Sequence, residues 1–203
     1  GLAGGGHGGL GLILAGVAVN SLSAALTSLA LNLAPSPYAA LEIVFWLLGS
    51  LADRSFEHLW LALPGVLVGL SLVLGCGRGL DALCLGEETA RSLGIHLAWL
   101  RLRCVLGLGL AIGACVAVSG SIGFIGLVVP HLLRPVTGYQ PSRLLLPSAL
   151  GGAALLTAAD LLVRLLPGHG ELKLGVITAL LGTPLFLHLL WQYRQRGAGY
   201  ELA

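Results

Sequence analysis

Long apolar segments are the feature that most constrains the fold of this chain. A helix needs about 20 predominantly apolar residues to cross the hydrocarbon core of a bilayer. Five segments approach or exceed this length: 10–33, 59–74, 104–119, 144–166 and 174–191. Only 10% of the 203 residues are charged, whereas a soluble domain carries about 25%. We therefore predict an all-α, polytopic transmembrane helix bundle with about five crossings, forming one membrane domain over residues 1–203.

Two further apolar segments are too short to cross a bilayer. Residues 38–51 form a stretch of about 14 residues, which favours a re-entrant or interfacial helix. Residues 124–133 form a return segment that is also shorter than a full span.

The polar segment 77–103 predicts a loop outside the membrane. It carries seven charged side chains: Arg78, Asp81, Glu87, Glu88, Arg91, Arg101 and Arg103. We expect Asp81 to cap one short helix, Gly86 to interrupt the chain and Gly94 to end a second short helix. The two glutamates after Gly86 suit the first turn of that second helix, where the helix dipole favours negative charge.

Basic residues are distributed unevenly between alternate loops. Eight arginines fall on the side that holds 77–103, 134–143 and the C-terminal tail: Arg78, Arg91, Arg101, Arg103, Arg134, Arg143, Arg194 and Arg196. Three basic residues fall on the opposite side: Arg54, Arg164 and Lys173. Because loops rich in arginine and lysine stay in the cytoplasm, the first side is predicted to be cytoplasmic.

The segment "SGSIGFIGLVVPHLLRP" at 119–135 interrupts an apolar region with glycine, proline and a histidine. Gly120 and Gly123 are expected to let the chain reverse, and with Gly126 to allow close approach between helices. Pro130 removes a backbone donor, which is tolerated where neighbouring protein satisfies the freed carbonyl. We interpret His131 as a structural hydrogen-bonding residue, because no second metal ligand stands four residues later.

Polar side chains also mark two of the crossings. In the first crossing they recur at spacings of three and four: Asn20, Ser23, Thr27 and Ser28. Such groups either line an aqueous path or hydrogen-bond between helices. Asp160 and Arg164 lie four residues apart near the end of the fourth crossing and can pair on one helix face.

Several kinds of function are disfavoured by the composition. The net charge of +2 does not suggest a nucleic-acid partner. The sequence lacks the G-x-x-x-x-G-K-[ST] motif of an ATP-binding P-loop, and it lacks C-x-x-C. No metal site, cofactor or catalytic residue is therefore predicted, and Cys76, Cys84, Cys104 and Cys115 are expected to be free thiols.

Two other membrane functions are weaker alternatives. An intramembrane serine protease would pair Ser121 with His131, but ten residues of helix would place them about 15 Å apart. A proton- or sodium-coupled carrier would need a carboxylate near the middle of a crossing, and the sequence shows none there.

Six blocks of the sequence resemble, in order, one family of transport proteins. They are "AGVAVNSLSAALTSLAL" (15–31), "EIVFWLLGSL" (42–51), "LCLGEETARSLGI" (83–95), "VSGSIGFIGLVVPHLLR" (118–134), "LLPSALGGAALLTAADLLVRLL" (145–166) and "ELKLGVITALLGTPLFLHLL" (171–190). These blocks are similar to the permease subunits of bacterial ABC importers for iron-siderophores, haem and vitamin B12. Lys173 stands where the family usually has proline.

The resemblance implies a place for this chain within a larger protein. Family permeases have ten transmembrane helices, and the chain matches the portion from the fifth to the tenth. The sequence also begins without methionine or a signal-peptide pattern. We therefore expect either a fragment or the product of a truncated gene. The alternative to a working importer is a truncated, non-transporting remnant or a membrane scaffold.

The resemblance also implies partners and site residues. The chain would lie in the bacterial inner membrane, pair with a second permease copy, and work with an ATP-binding subunit dimer and a periplasmic substrate-binding protein. The loop 77–103 would hold coupling helices that dock on the ATPase, with these residues: Asp81, Leu83, Gly86, Glu87, Glu88, Arg91 and Gly94. The polar residues of the first crossing would line the translocation path. Arg164, helped by Arg54, would receive acidic residues of the binding protein.

Overall fold

The computed structural model describes residues 7–165 and 173–198, and the regular structure in these ranges is helical. The helices, in chain order, are α1 (His7–Asn32), α2 (Pro37–Leu47), α3 (Phe56–Leu74), α4 (Gly77–Leu83), α5 (Glu87–Ser92), α6 (Leu97–Ser119), α7 (Ile125–Leu133), α8 (Pro141–Leu165) and α9 (Leu174–Ala198). The predicted end of the fourth crossing at residue 166 lies outside the described residues.

Four of the described helices are long and apolar enough to cross a membrane. They are α3, α6, α8 and the part Ile13–Asn32 of α1. The apolar part of α9 is the shorter stretch Leu174–Pro184, and α2 is also short. The prediction of an all-α polytopic membrane protein is confirmed, as is the short helix between the first two crossings.

Four crossings start earlier than hydropathy predicts, since α1, α3, α6 and α8 begin at residues 7, 56, 97 and 141. Helix α6 begins at Leu97 and not at residue 104, so Arg101 and Arg103 belong to its first two turns. Helix α3 begins after Ser55, whose backbone N–H donates to the Nδ1 atom of His58 at 3.3 Å. Because local hydrogen bonds and not hydropathy set helix ends, the polar first turns were missed. Pro64 lies inside α3.

The chain forms two compact units, Gly1–Phe45 and Trp46–Ala203. The first unit holds α1 and most of α2, which are joined by a short turn. In this turn the Ser36 hydroxyl accepts a hydrogen bond from the Ala39 backbone N–H at 3.2 Å, which satisfies a free donor at the start of α2.

In the second unit, α3 and α6 pack against each other through glycine and alanine. A Cβ atom on Gly69 would lie 2.6 Å from the Ala111 nitrogen and 2.8 Å from the Ala111 Cβ. A Cβ on Gly65 would lie 2.8 Å from the Ala114 Cβ. These pairs run in opposite directions along the two helices, so the helices are antiparallel. Small residues permit close approach of helix backbones, as in other membrane bundles.

Three chain breaks meet at what we call the glycine junction, formed by residues 46–50, 119–121 and 174–176. The Ser50 N–H donates to the Ser119 carbonyl at 2.8 Å, and the Gly175 N–H donates to the Gly49 carbonyl at 3.2 Å. Gly120 has a φ of +73°, and a Cβ there would overlap the Trp46 carbonyl oxygen. The ends of α2 and α6 and the start of α9 thus satisfy one another's backbone groups.

Substitution of Gly69 tests the α3–α6 contact. Gly69→Ala is expected to destabilise the protein by about 1–3 kcal/mol, because the added methyl group would force two backbones apart. The control is Gly113→Ala in α6, where a Cβ meets no described atom within 4 Å. Thermal unfolding in detergent would compare the two, and equal melting temperatures would contradict the packing described.

Substitution of Gly120 tests the glycine junction. Gly120→Ala is expected to cost about 1–3 kcal/mol, since alanine disfavours a positive φ and its Cβ has no room. The control is Gly123→Ala, three residues later, where the same methyl group meets open space. Proteolysis of the detergent-purified protein would report the loosened junction. An unchanged cleavage pattern in Gly120→Ala would show that the close contact is absent.

Candidate functional site

The α4–α5 segment, residues 77–94, is made of two short helices separated by glycine. Gly86 has a φ of +105° and lies directly before α5. Gly94 has a φ of +80° and follows α5. Its N–H donates to the Arg91 carbonyl at 2.9 Å, and the Ile95 N–H donates to the Ala90 carbonyl at 3.0 Å. This pair of bonds is a Schellman motif, so the predicted roles of both glycines in chain geometry are confirmed.

The inner face of the α4–α5 segment is apolar. Ala82, Ala90 and Leu97 form a buried cluster, with Leu83 and Ile95 packed against it. Ala90 is completely buried although it lies on a helix of six residues. The cluster joins α4 and α5 to the start of α6, because Leu97 is the first residue of that helix.

Helix α4 also contacts both α6 and α8 through glycines. A Cβ on Gly79 would lie 2.7 Å from Cδ1 of Leu100 in α6. A Cβ on Gly77 would lie 3.1 Å from the Cβ of Ser142 in α8. A larger residue at either position would push α4 away from its neighbours.

Asp81 does not cap its own helix, which corrects the prediction. Helix α4 already begins at Gly77, so Asp81 lies in its body. Its carboxylate accepts hydrogen bonds from the Ser142 backbone N–H at 2.8 Å and from Nε2 of Gln140 at 3.1 Å. Ser142 is in the first turn of α8, where backbone N–H groups lack helical partners and the dipole favours an anion. Asp81 therefore caps a different helix, about 60 residues later in the sequence.

The surroundings of Asp81 favour its ionised form. Hydrogen bonds from the Ser142 hydroxyl and backbone lower the pKa of the Asp81 carboxyl from its ordinary value, and Gln140 and Arg143 lower it further. Partial desolvation opposes this change in pKa. The tie between α4 and α8 is therefore present at neutral pH, and it weakens only as the pH falls through the lowered pKa.

Glu87 forms one ion pair that connects α5 to α6 and a second within α5. A carboxylate oxygen of Glu87 contacts the guanidinium of Arg101, and both side chains are about 30% exposed. The other oxygen of Glu87 lies 3.5 Å from the guanidinium of Arg91 in the same helix. Half-buried Glu87 thus joins the second short helix to the first turns of α6.

The outer face of the α4–α5 segment combines apolar and charged side chains. Glu88, Thr89 and Arg91 are exposed. Leu85 is 67% exposed and Leu93 is 61% exposed, although each lies next to a glycine in a polar loop. Neither leucine was predicted as a site residue, although each directly precedes one of the two glycines.

The predicted docking arginines lie at the opposite end of the second unit. Arg54 is exposed in the connection before α3, and no ion pair of its guanidinium is found in the described part of the chain. Arg164 is 58% exposed, and its Nε atom donates to Oδ2 of Asp160 at 2.8 Å. The predicted pairing of Asp160 with Arg164 is confirmed. Arg54 is therefore the less constrained of the two arginines.

The polar side chains of α1 form hydrogen bonds within their own helix. The Ser23 hydroxyl donates to the Val19 carbonyl at 2.9 Å, and the Thr27 hydroxyl donates to the Ser23 carbonyl at 2.9 Å. Asn20, Ser23 and Ser28 are exposed, and Thr27 is half-buried. Their oxygen atoms remain able to accept further hydrogen bonds.

The segment 119–135 contains one closely packed glycine. The predicted close approach of another backbone is confirmed at Gly120. The same prediction is wrong for Gly123 and Gly126, where a Cβ meets no described atom within 4 Å. The reversal is shared with Phe124, which has a φ of +68°. Pro130 and half-buried His131 lie within α7, as predicted.

A metal-binding site was also sought among the described residues. Among residues 7–165 and 173–198, no group of three or more histidine, cysteine, aspartate or glutamate side chains could hold a metal ion. The four cysteines are free thiols, of which Cys76 is buried and Cys84 and Cys115 are exposed.

Comparison with known proteins identifies a transport family. The profile of the FecCD transport family matches residues 2–192. The vitamin B12 import system permease protein of Vibrio cholerae is 47% identical over 180 residues, covering 88% of this chain and 54% of that protein. The hemin transport system permease protein of Yersinia pestis is 42% identical over 195 residues, covering 96% of this chain and 58% of that protein.

A solved structure has the same fold. It is an inward-facing conformation of a metal-chelate type ABC transporter, with a TM-score of 0.81 and 36% identity over 90% of this chain and 59% of that chain. The chain spans about half the length of the curated relatives it matches. Together with the four apolar helices, these matches confirm the predicted family and the predicted location in the inner membrane. The chain belongs to the FecCD transport family.

Proposed function

We propose that the chain is part of the membrane-spanning subunit of an ATP-driven importer. It would accept a large metal chelate or corrinoid from a periplasmic binding protein and pass it to the cytoplasm. The relatives' names support this substrate class, since they include permeases for vitamin B12, hemin and Fe(3+) dicitrate. A second permease copy and two ATP-binding subunits would complete the transporter.

The observation that carries the proposal is that the α4–α5 segment has one face packed against the crossings and one face exposed. Its inner face is fixed to α6 by the Ala90 cluster and by Glu87, and to α8 by Asp81. Its outer face leaves Leu85, Leu93 and charged side chains uncovered. A rigid, exposed segment fixed to two crossings can receive force from a partner and pass it on. The residues of the proposed ATPase contact are Leu85, Gly86, Glu88, Arg91, Leu93 and Gly94, with Asp81, Leu83 and Glu87 supporting them from within.

The common location of two polar loops supports the proposed orientation. Asp81 in the loop 77–103 bonds Gln140 and Ser142, so the loop 134–143 lies at the same end. Both loops were assigned to the cytoplasmic side by their arginines. Arg54 and the glycine junction lie at the other end of α3 and α6, which would face the periplasm.

In the proposed transporter, α1 would line the translocation path. Asn20, Ser23 and Thr27 lie within about 60° of one another around the helix, given 100° per residue. The Ser23 and Thr27 hydroxyls donate within their own helix, so their remaining acceptor sites are open to water or to the second copy.

Substitutions on the outer face of the α4–α5 segment test the ATPase contact. Glu88→Lys and Leu93→Glu are each expected to lower retention of the ATP-binding subunit by on the order of tenfold, because they place an unpaired charge in the contact. Both side chains are exposed, so folding should change by no more than about 0.5 kcal/mol. Co-purification with the tagged full-length permease measures the loss.

The control for this experiment is Val136→Glu. Val136 is 82% exposed in the loop 134–140 at the same end of the protein. This variant should retain the ATPase. If all three variants retain as much ATPase as the unaltered permease, the α4–α5 segment is not the contact.

Reversal of Arg54 tests binding-protein docking. Arg54→Glu is expected to slow association with the periplasmic binding protein by about tenfold at low salt, and the effect should shrink as salt increases. Arg134→Glu, which makes the same charge change at the opposite end, is the control. Surface-plasmon measurements on permease in nanodiscs give both rates, and equal slowing by the two variants would rule out a specific role for Arg54.

A further inference from the structure

Two polar connections leave the α4–α5 segment, and they reach different crossings. Glu87 pairs with Arg101 of α6. Asp81 accepts hydrogen bonds from Gln140 and from the first turn of α8. Gly77 of α4 also lies against Ser142 of α8, but it offers no side chain to hold the two helices in register.

We infer that Asp81 is a positioning residue that fastens the α4–α5 segment to α8, so that movement imposed on this segment enters α8 as well as α6. The inference rests on the proposed function and deepens it. It changes the role of Asp81 from a contact of the ATPase to an internal connection. The exposed outer face then contacts the ATPase, and the carboxylate of Asp81 on the inner face passes the movement to α8.

The geometry of the carboxylate suits this role. One oxygen accepts a backbone N–H at 2.8 Å and the other accepts a side-chain amide at 3.1 Å, so rotation of Asp81 is restricted from both sides. The acceptor is charged, and hydrogen bonds to a charged group are stronger than those between neutral groups. The tie also holds α8 at its first turn, where a displacement moves the end of the helix directly.

Helix α8 extends from this tie to the opposite end of the protein. It has 25 residues, a length of about 37 Å. Asp160 and Arg164 lie in its last two turns. A connection at Ser142 therefore links the cytoplasmic segment to the end of the permease at which we place binding-protein docking.

The first test asks whether Asp81 transmits movement in the assembled transporter. The full-length permease, its ATP-binding subunits and its binding protein are reconstituted in liposomes, and transport and ATP hydrolysis are measured together. Asp81→Ala is expected to keep the ATPase bound and hydrolysing, while substrate moved per ATP falls on the order of tenfold. Asp53→Asn, a change in an exposed carboxylate at the other end, should leave both quantities unaltered.

A rescue variant separates this role from general damage. In Asp81→Asn combined with Gln140→Glu, the new amide oxygen can accept the Ser142 N–H and the new amide nitrogen can donate to the new carboxylate. Both hydrogen bonds are restored with donor and acceptor exchanged between the two side chains. Coupling should return to at least half of its original value, whereas Asp81→Ala with Gln140→Glu should stay uncoupled.

A second measurement tests the tie without any partner. Amide hydrogen exchange at the start of α8 should accelerate by roughly tenfold in Asp81→Ala and remain unchanged in Asp53→Asn. Unchanged exchange, or full coupling in Asp81→Ala, would overturn the inference. Loss of ATPase binding in Asp81→Ala would also overturn it, because Asp81 would then act at the contact. If the unaltered permease binds no ATPase, the proposed function fails instead, and the exchange result still decides whether the tie exists.

Discussion

Backbone hydrogen bonding is the constraint on which the rest of this structure depends. Lipid offers no partner to a free N–H or carbonyl group, so a chain that breaks its helices must satisfy the ends within the protein. At the glycine junction, Ser50 bonds Ser119 and Gly175 bonds Gly49. These contacts require backbones to approach without side chains between them, which explains glycine at 49, 120 and 175.

The same constraint governs the other end of the protein. The first turn of α8 presents unpaired N–H groups, and a carboxylate from α4 satisfies one of them. Glu87 neutralises an arginine at the start of α6. The α4–α5 segment thus supplies hydrogen-bond and ion-pair partners to polar groups in the first turns of α8 and α6. The segment therefore cannot move without disturbing two crossings, which is the mechanical property that the proposed importer needs.

Local features of the site could be predicted from the sequence. Gly86 and Gly94 mark the ends of short helices because glycine, which has no Cβ, readily adopts the positive φ found at both positions. The pairing of Asp160 with Arg164 follows from helical spacing alone. The partner of Asp81 could not be predicted, since Gln140 and Ser142 are 59 and 61 residues away. Gly126 was misjudged for a related reason, because the residue type does not reveal which glycines face another backbone.

By itself the sequence determined the class of the protein, the number and rough extent of its apolar helices, and the positions of its helix-ending glycines. These properties depend on hydropathy and on conformational preferences over a few residues. The tertiary structure decided which faces of the α4–α5 segment are buried, which helix Asp81 caps and which of the two predicted docking arginines forms an ion pair within the described residues. Such features depend on contacts between residues distant in the sequence, and no local pattern encodes which helices become neighbours.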